Sequence, residues 1–126
     1  MLSFLIVGLG GAVGAMARHG VGVVAMRNFG AGFPYGTIIV NILGSFLMGL
    51  LIAWLARRTG GSSNELRLFL ATGFLGGFTT FSAFSLDTIV LYERGDFGQA
   101  ALYVGASVVV SILALVAGLW LVRGIA

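Results

Sequence analysis

The sequence predicts an all-α membrane protein with four transmembrane helices and a break in the third. Of its 126 residues, 59% are hydrophobic and 9% are charged, whereas about a quarter of the residues in a soluble domain are charged. So few polar side chains cannot cover the chain, and lipid must cover it instead. Four apolar segments alternate with short polar turns, and the third segment contains a run of glycine and threonine.

Each apolar segment has the length that a transmembrane helix needs. The second, for example, has about 22 residues and spans roughly 33 Å at about 1.5 Å per residue. The connections are short, which favours antiparallel neighbours within a single transmembrane domain over residues 1–126. The predicted helices cover about residues 2–26, 35–56, 66–92 and 100–122.

The charged residues lie mostly near the ends of these segments. Seven arginines, with no lysine, stand against four acidic residues, and they form no basic stripe of the kind that binds nucleic acid. With a cytoplasmic N-terminus, the inner side carries Arg57, Arg58, Arg67 and Arg123, and the outer side carries Arg18, Arg27 and Arg94. An excess this small predicts insertion in both orientations, and hence an antiparallel, dual-topology homodimer.

Small residues four positions apart, such as Gly10 and Gly14, predict close contact between helix backbones. Ordinary bundle packing accounts for most of these pairs. Such packing leaves little room inside one four-helix unit. A pore or binding site is therefore expected at the interface between two copies of the chain.

The stretch "GGFTTFSAF", from Gly76 to Phe84, interrupts the third segment. Irregular backbone at membrane depth is tolerated only inside protein or beside a water-filled cavity. Its paired glycines loosen a helix, and its paired threonines are weak helix formers. Carbonyl groups released there are suitable ligands for a small, hard cation. A simple glycine kink is the alternative.

Two phenylalanines follow in the same stretch. Phe81 and Phe84 are three residues apart and share one face of a helix. Such residues commonly face lipid or pack against neighbouring helices. The edge of an aromatic ring is electropositive, however, and two edges facing a narrow path could hold a small anion weakly.

Polar side chains recur on the other helices. Tyr103, Ser107 and Ser111 are spaced four apart, which aligns three hydroxyl groups on one face of the fourth helix. Thr37 and Asn41 have the same spacing in the second. Hydroxyls in membrane helices often bond to their own backbone or to a neighbouring helix, and the alternative is a track of donors for an anion.

Arg18 lies within a membrane segment, where it either extends to the interface or forms an electropositive vestibule. Asp87 is an acid within the third segment, and it either pairs with an arginine or takes part in gating or ion relay. The sequence has no cysteine and shows no metal cluster, nucleophile–base pair or phosphate loop. It therefore does not predict an enzyme.

The motifs "GTIIVNILGSFLMG", "TGFLGGFTTFSAFS" and "YVGASVVVSILAL" resemble those of the Fluc (CrcB) fluoride channels, and the resemblance covers all four helices in order. It implies a channel for passive, selective fluoride export from a microbial cell, which lowers fluoride toxicity and lies in the bacterial plasma (inner) membrane. It also implies an antiparallel dimer with two separate pores, each built from both subunits.

The resemblance assigns a role to individual residues. It implies a structural sodium ion at the dimer centre, held by backbone carbonyls of Gly76 and Thr79 from each subunit. The fluoride pathway that it implies contains Phe81, Phe84, Asn41, Thr37, Tyr103, Ser107, Ser111 and Arg18, with Ser82 and Thr80 adding hydroxyls beside the phenylalanines. Two positions depart from the family pattern, because Ala83 stands where Thr is frequent and Asp87 stands where Glu is usual.

Two other classes of protein remain as alternatives. A small multidrug exporter has a similar length and helix number, but its drug–proton exchange needs a carboxylate within the membrane, typically in the first helix. The first segment here has Arg18 and no acid. A structural subunit of a larger membrane complex would conduct no ions, and its function would be insensitive to Phe81 and Phe84.

Overall fold

The computed structural model of the chain describes residues 1–57 and 63–124, and all of its regular elements are helices. Four helical spans within that part are long and apolar enough to cross a membrane, which confirms the predicted all-α class and the predicted number of transmembrane helices. We number the helices α1 (Leu2–Phe29), α2 (Tyr35–Arg57), α3 (63–78), α4 (Phe81–Glu93) and α5 (Phe97–Gly124), where α3 and α4 together form the third span. Arg58, predicted to lie on the inner side, falls outside the described residues.

The third span breaks after α3, at two residues with extended backbone. Thr79 has φ −87° and ψ 158°, and Thr80 has φ −151° and ψ 124°. Gly76, one of the two glycines that were expected to loosen the helix beside the two threonines, is helical with φ −62° and ψ −37°. The break therefore lies three residues later than the first glycine, because the threonines and not the glycines leave the helical conformation.

A π-helical stretch in the middle of α3 was not predicted. Helix α3 comprises Ser63–Arg67, the π-helix Leu68–Leu75 and the final turn Gly76–Phe78. The wider π-helix is rare, and it occurs here in a part of the span that packs against α1.

The contact between α1 and α3 is made by backbone against backbone. Gly10 and Gly14 are buried on α1, and a β-carbon at either position would collide with main-chain atoms of the π-helix or of the turn after it. From the other side, a β-carbon on Gly77 would lie 2.5 Å from the carbonyl oxygen of Gly11. The small residues four apart in α1 thus have the packing role that their spacing predicts.

Helices α2 and α5 form a second close pair. A β-carbon on Gly49 would collide with the carbonyl of Leu115, and one on Gly118 would collide with the carbonyl of Phe46. Buried side chains then form two clusters, one on each side of the break. The first contains Val40, Leu75 and Phe78, and the second contains Leu91, Ala100 and Tyr103.

Candidate functional site

Asn41 of α2 holds the break in the third span with two hydrogen bonds. The backbone amide of Thr80 donates to Asn41 Oδ1 at 2.8 Å, and Asn41 Nδ2 donates to the carbonyl oxygen of Thr80 at 2.9 Å. One side-chain amide thus satisfies both backbone groups of an extended residue, as a neighbouring β-strand would. This pairing explains how extended backbone is tolerated between two membrane helices.

The carbonyl groups of Gly76 and Thr79 are among those that lose their usual helical partners at the break. In a continuous helix, the amide of Thr80 would donate to the carbonyl of Gly76, and the amide of Ala83 would donate to that of Thr79. Instead the Thr80 amide donates to Asn41, and the Ala83 amide donates to Thr80 Oγ1 at 3.2 Å, where Thr80 caps α4. Gly76 and Thr79 are the two residues whose carbonyls the resemblance assigned to sodium.

Two other carbonyls around the break, those of Gly77 and Leu75, have partners within the described chain. Arg18 Nε of α1 donates to the carbonyl of Gly77 at 3.0 Å. The carbonyl of Leu75 accepts from both the amide and the hydroxyl of Thr79, at 3.0 and 2.9 Å. The guanidinium of Arg18 therefore lies against the last turn of α3, where the negative end of the helix dipole favours a cation.

A cavity of about 380 Å³ lies between the break and helices α2, α4 and α5. Within the described residues, the hydroxyl oxygens of Ser107 and Ser111 are buried beside it and have no hydrogen-bond partner. Ser107 is 5% exposed. The polar residues lining the cavity are Asn41, Ser45, Thr79, Thr80, Ser107 and Ser111, and the rings of Phe81 and Phe84 line it as well.

These two serines of α5 differ from hydroxyl residues of the third span. Thr79, Ser85 and Thr88 each donate to the carbonyl four residues earlier, at 2.8 to 3.0 Å. Ser107 and Ser111 form no such bond, so the common alternative for a membrane serine does not apply to them. A buried hydroxyl without a partner is unfavourable, and an anion in the cavity would supply one.

The rings of Phe81 and Phe84 lie side by side at the beginning of α4. Their centroids are 5.6 Å apart with planes inclined at 46°. Phe84 is half-buried against Tyr103, whereas Phe81 is 77% exposed on the surface of the single chain. The side of the smaller cavity that Phe81 forms is therefore exposed on the surface of the single chain.

A second and larger cavity, of about 710 Å³, lies among the C-terminal part of α1, the N-terminal part of α2 and helix α4. Thr80 lines both cavities, which places them on either side of the break. The charged and hydroxyl residues lining the larger cavity are Arg18, Arg27, Arg94, Asp87, Tyr35, Thr37 and Thr80. Three guanidinium groups against one carboxylate give this cavity a positive potential.

Tyr103 lies in the wall behind both cavities and not on their surfaces. The side chain is 0% exposed, and its hydroxyl donates to Asp87 Oδ2 at 3.1 Å. The side chain of Thr37 also interacts with this hydroxyl. The predicted row of three hydroxyls is thus divided, because two line the smaller cavity and the third bonds to a residue that lines the larger one.

Comparison with known proteins identifies the family. The family described as "CrcB-like protein, Camphor Resistance (CrcB)" matches residues 5–119. The chain belongs to the CrcB family. Three relatives carry the name "Fluoride-specific ion channel FluC". The protein from Hyphomonas neptunium is 56% identical over 125 residues, which are 99% of this chain and 98% of that one. Those from Agrobacterium fabrum and Chelativorans sp. are 55% and 58% identical, each covering 99% of both chains.

A CrcB chain with four apolar spans is a multi-pass membrane protein. Most of its predicted site residues line one or both of the two cavities, and Tyr103 lies in the wall behind them. Ser82 is exposed beside them, with its hydroxyl 3.3 Å from that of Thr80.

The sequence alone missed two residues that shape this CrcB site. Gly44, three residues after Asn41, leaves the space that the methyl group of Thr79 occupies. Phe33, in the loop before α2, packs its ring against Tyr103. The spacing of Gly44 from Asn41 was a usable signal, since residues three apart share a helix face.

Proposed function

We propose that this chain is a fluoride-selective channel that lets fluoride leave the bacterial cell passively and so reduces its toxicity. The observation that carries the proposal is the pair of buried, unpartnered hydroxyls of Ser107 and Ser111 beside two phenylalanine rings. The relatives named fluoride-specific ion channels support the choice of ion. The proposed activity is conduction and not catalysis.

The chemistry of the smaller cavity suits a small, hard anion. Fluoride is strongly hydrated, so donor groups must replace part of its water shell. Ser107 and Ser111 provide hydroxyl donors, Asn41 keeps one N–H beyond the one given to Thr80, and the phenylalanine edges are weakly positive. α4 begins at this cavity, and a helix N-terminus also favours negative charge. Several weak contacts permit binding and release, as conduction requires.

The larger cavity serves as the vestibule in this proposal. Arg18, Arg27 and Arg94 raise the local concentration of anions at its mouth. Thr80 lies where the two cavities approach each other, so an anion would pass from the vestibule by Thr37 and Thr80 to the serines.

We propose that two copies assemble as an antiparallel homodimer with two pathways. Support comes from the exposure of Phe81, because a ring that lines a pathway in the membrane needs a wall opposite it. A second copy in the opposite orientation supplies that wall, and two-fold symmetry then makes two equivalent pathways.

We also propose that a sodium ion lies at the centre of the dimer, held by the carbonyls of Gly76 and Thr79 from each copy. The donor set fits, because both carbonyls lack their usual helical partners and carbonyl oxygen is a ligand for hard cations. When bound, the ion supplies positive charge that offsets the carbonyl dipoles and joins the two copies.

Fluoride efflux from liposomes tests the proposed function. Purified protein is reconstituted with internal potassium fluoride, a potassium ionophore is added, and an electrode follows external fluoride. A parallel preparation contains chloride. We expect rapid fluoride release without chloride release. If folded, inserted protein released neither ion, a structural subunit would replace the channel, and equal release of both ions would remove the selectivity.

A further inference from the structure

The loop between α1 and α2 reaches the aromatic residue that supports the phenylalanines of the smaller cavity. Phe33 in this loop packs its ring edge-on against Tyr103, with centroids 5.5 Å apart and planes at 88°. Tyr103 in turn packs against Phe84 at 5.3 Å, and Phe84 packs against Phe81 at 5.6 Å. Continuous ring contacts therefore connect an extramembrane loop with the predicted anion pathway.

The loop is held in place by contacts of its own. Arg94, in the turn between α4 and α5, donates to the carbonyl of Gly32 at 3.0 Å and forms an ion pair with Asp96 at 2.8 Å. The amide of Tyr35 donates to the carbonyl of Phe33 at 2.8 Å. Phe33 is thus presented to Tyr103 from a loop whose backbone is fixed at two points.

Tyr103 is the residue through which this loop can act on both cavities. Its hydroxyl donates to Asp87, which lines the larger cavity, and its ring packs against Phe84, which lines the smaller one. Because Tyr103 is fully buried, its ring can turn only if a neighbour gives way. Phe33 is the neighbour on the loop side.

We propose that Phe33 is a positioning residue for the anion pathway, and this inference depends on the proposed fluoride channel. Phe33 keeps the ring of Tyr103 packed against Phe84, and it keeps the Tyr103 hydroxyl hydrogen-bonded to Asp87. A smaller side chain at position 33 leaves space into which the Tyr103 ring turns. Phe84 then loses its support, and the carboxylate of Asp87 loses a donor and repels anions more strongly.

The test compares fluoride efflux from liposomes for Phe33→Leu, Tyr103→Leu and the double variant. The energy of an edge-on ring pair corresponds to a flux decrease of about threefold to tenfold for Phe33→Leu. Because Phe33 acts through Tyr103, the double variant should conduct like Tyr103→Leu alone. Phe33→Tyr, which keeps an aromatic ring at position 33, should retain most of the flux of the original chain.

Phe97→Leu is the matched control, since the Phe97 ring is 60% exposed and contacts the ring of Tyr92 instead. We expect its flux to equal that of the original chain. If Phe33→Leu also conducts normally, or if its effect multiplies with that of Tyr103→Leu, the positioning role is wrong. A chain with native Phe33 that releases no fluoride would instead refute the channel itself. Should Phe33→Leu not fold, Phe33→Met, which also removes the ring but keeps a longer apolar side chain, takes its place, and unchanged flux in that variant overturns the inference.

Discussion

At the scale of single residues, the hydroxyls of Ser107 and Ser111 have no stabilising role within the described chain. A buried hydroxyl without a partner costs about 1–3 kcal/mol, so replacing either serine by alanine should leave stability unchanged or raise it. A hydrogen bond to a charged group contributes about 1.5–3 kcal/mol, which corresponds to a flux lower by about tenfold to 150-fold for each variant. Thermal unfolding and fluoride efflux measure the two effects separately.

Ser85→Ala is the control for this prediction, because the Ser85 hydroxyl bonds to its own helix at Phe81. It makes the same chemical change without removing a free donor. Lower stability with normal flux in the Ser107 and Ser111 variants would identify the two serines as packing residues.

The two phenylalanines give a second prediction at this scale. Phe81→Ile and Phe84→Ile keep an apolar side chain but remove the electropositive ring edge. We expect each to lower fluoride efflux while the protein remains folded and assembled. Phe4→Ile is matched in exposure, since Phe4 is 78% exposed and Phe81 is 77% exposed. Normal efflux from both pathway variants would refute their assignment.

At the scale of helices, the packing of α1 on α3 depends on glycine. Gly77→Ala would place a β-carbon 2.5 Å from the carbonyl oxygen of Gly11, and main-chain atoms cannot move aside as a flexible side chain can. We expect a loss of about 1–3 kcal/mol, the usual cost of overpacking, measured as a lower unfolding temperature in detergent. Gly8→Ala on α1 is the control, because its β-carbon meets open space within the chain. Equal stability of the two variants would contradict this packing.

The helices show what the sequence could and could not predict. Hydrophobic length predicted the four spans, since the lipid thickness fixes how many apolar residues a helix needs. The position of the break was predicted less well. Glycine and threonine are both weak helix formers, and a partner distant in sequence, Asn41, selects the threonines by satisfying the backbone of Thr80. The π-helix Leu68–Leu75 was not predicted either, because the local pattern of apolar residues does not distinguish it from an α-helix.

The site was predictable to a similar degree. Spacing brought Ser107 and Ser111 to one face, and the structure places both beside one cavity. The same spacing suggested that Tyr103 would share that cavity, but its longer side chain reaches Asp87 on α4. Phe33 could not be found in this way, because a loop residue has no periodicity to relate it to a helix.

At the scale of the whole molecule, the weak charge bias of the sequence leads to a prediction about topology. A reporter fused to the C-terminus should be active on both sides of the membrane, since the arginines barely favour one orientation. Adding two lysines after Glu93 should shift the population toward one orientation and reduce the yield of dimer. Activity of the unmodified fusion on one side alone would exclude dual topology.

The proposed sodium ion gives a second prediction at this scale. Replacing sodium by the large cation N-methylglucamine during purification should weaken the dimer, because partial negative charges on facing carbonyls would then repel one another. Size-exclusion chromatography at decreasing protein concentration measures the change. Return of sodium should restore the dimer, whereas the same stability in both salts would remove the sodium site from the proposal.

The side chain of Asn41 and the empty space at Gly44 together fix the position of α2 relative to the break in the third span. Asn41 forms a hydrogen bond with Thr80, and the space at Gly44 accommodates the methyl group of Thr79. The two positions are separated by a little less than one helical turn. Inserting or deleting one residue between them would rotate one relative to the other by about 100°, so that only one of them could face the break. We therefore expect insertions and deletions in related genes to be absent from this interval, even where single substitutions elsewhere on the helix are frequent.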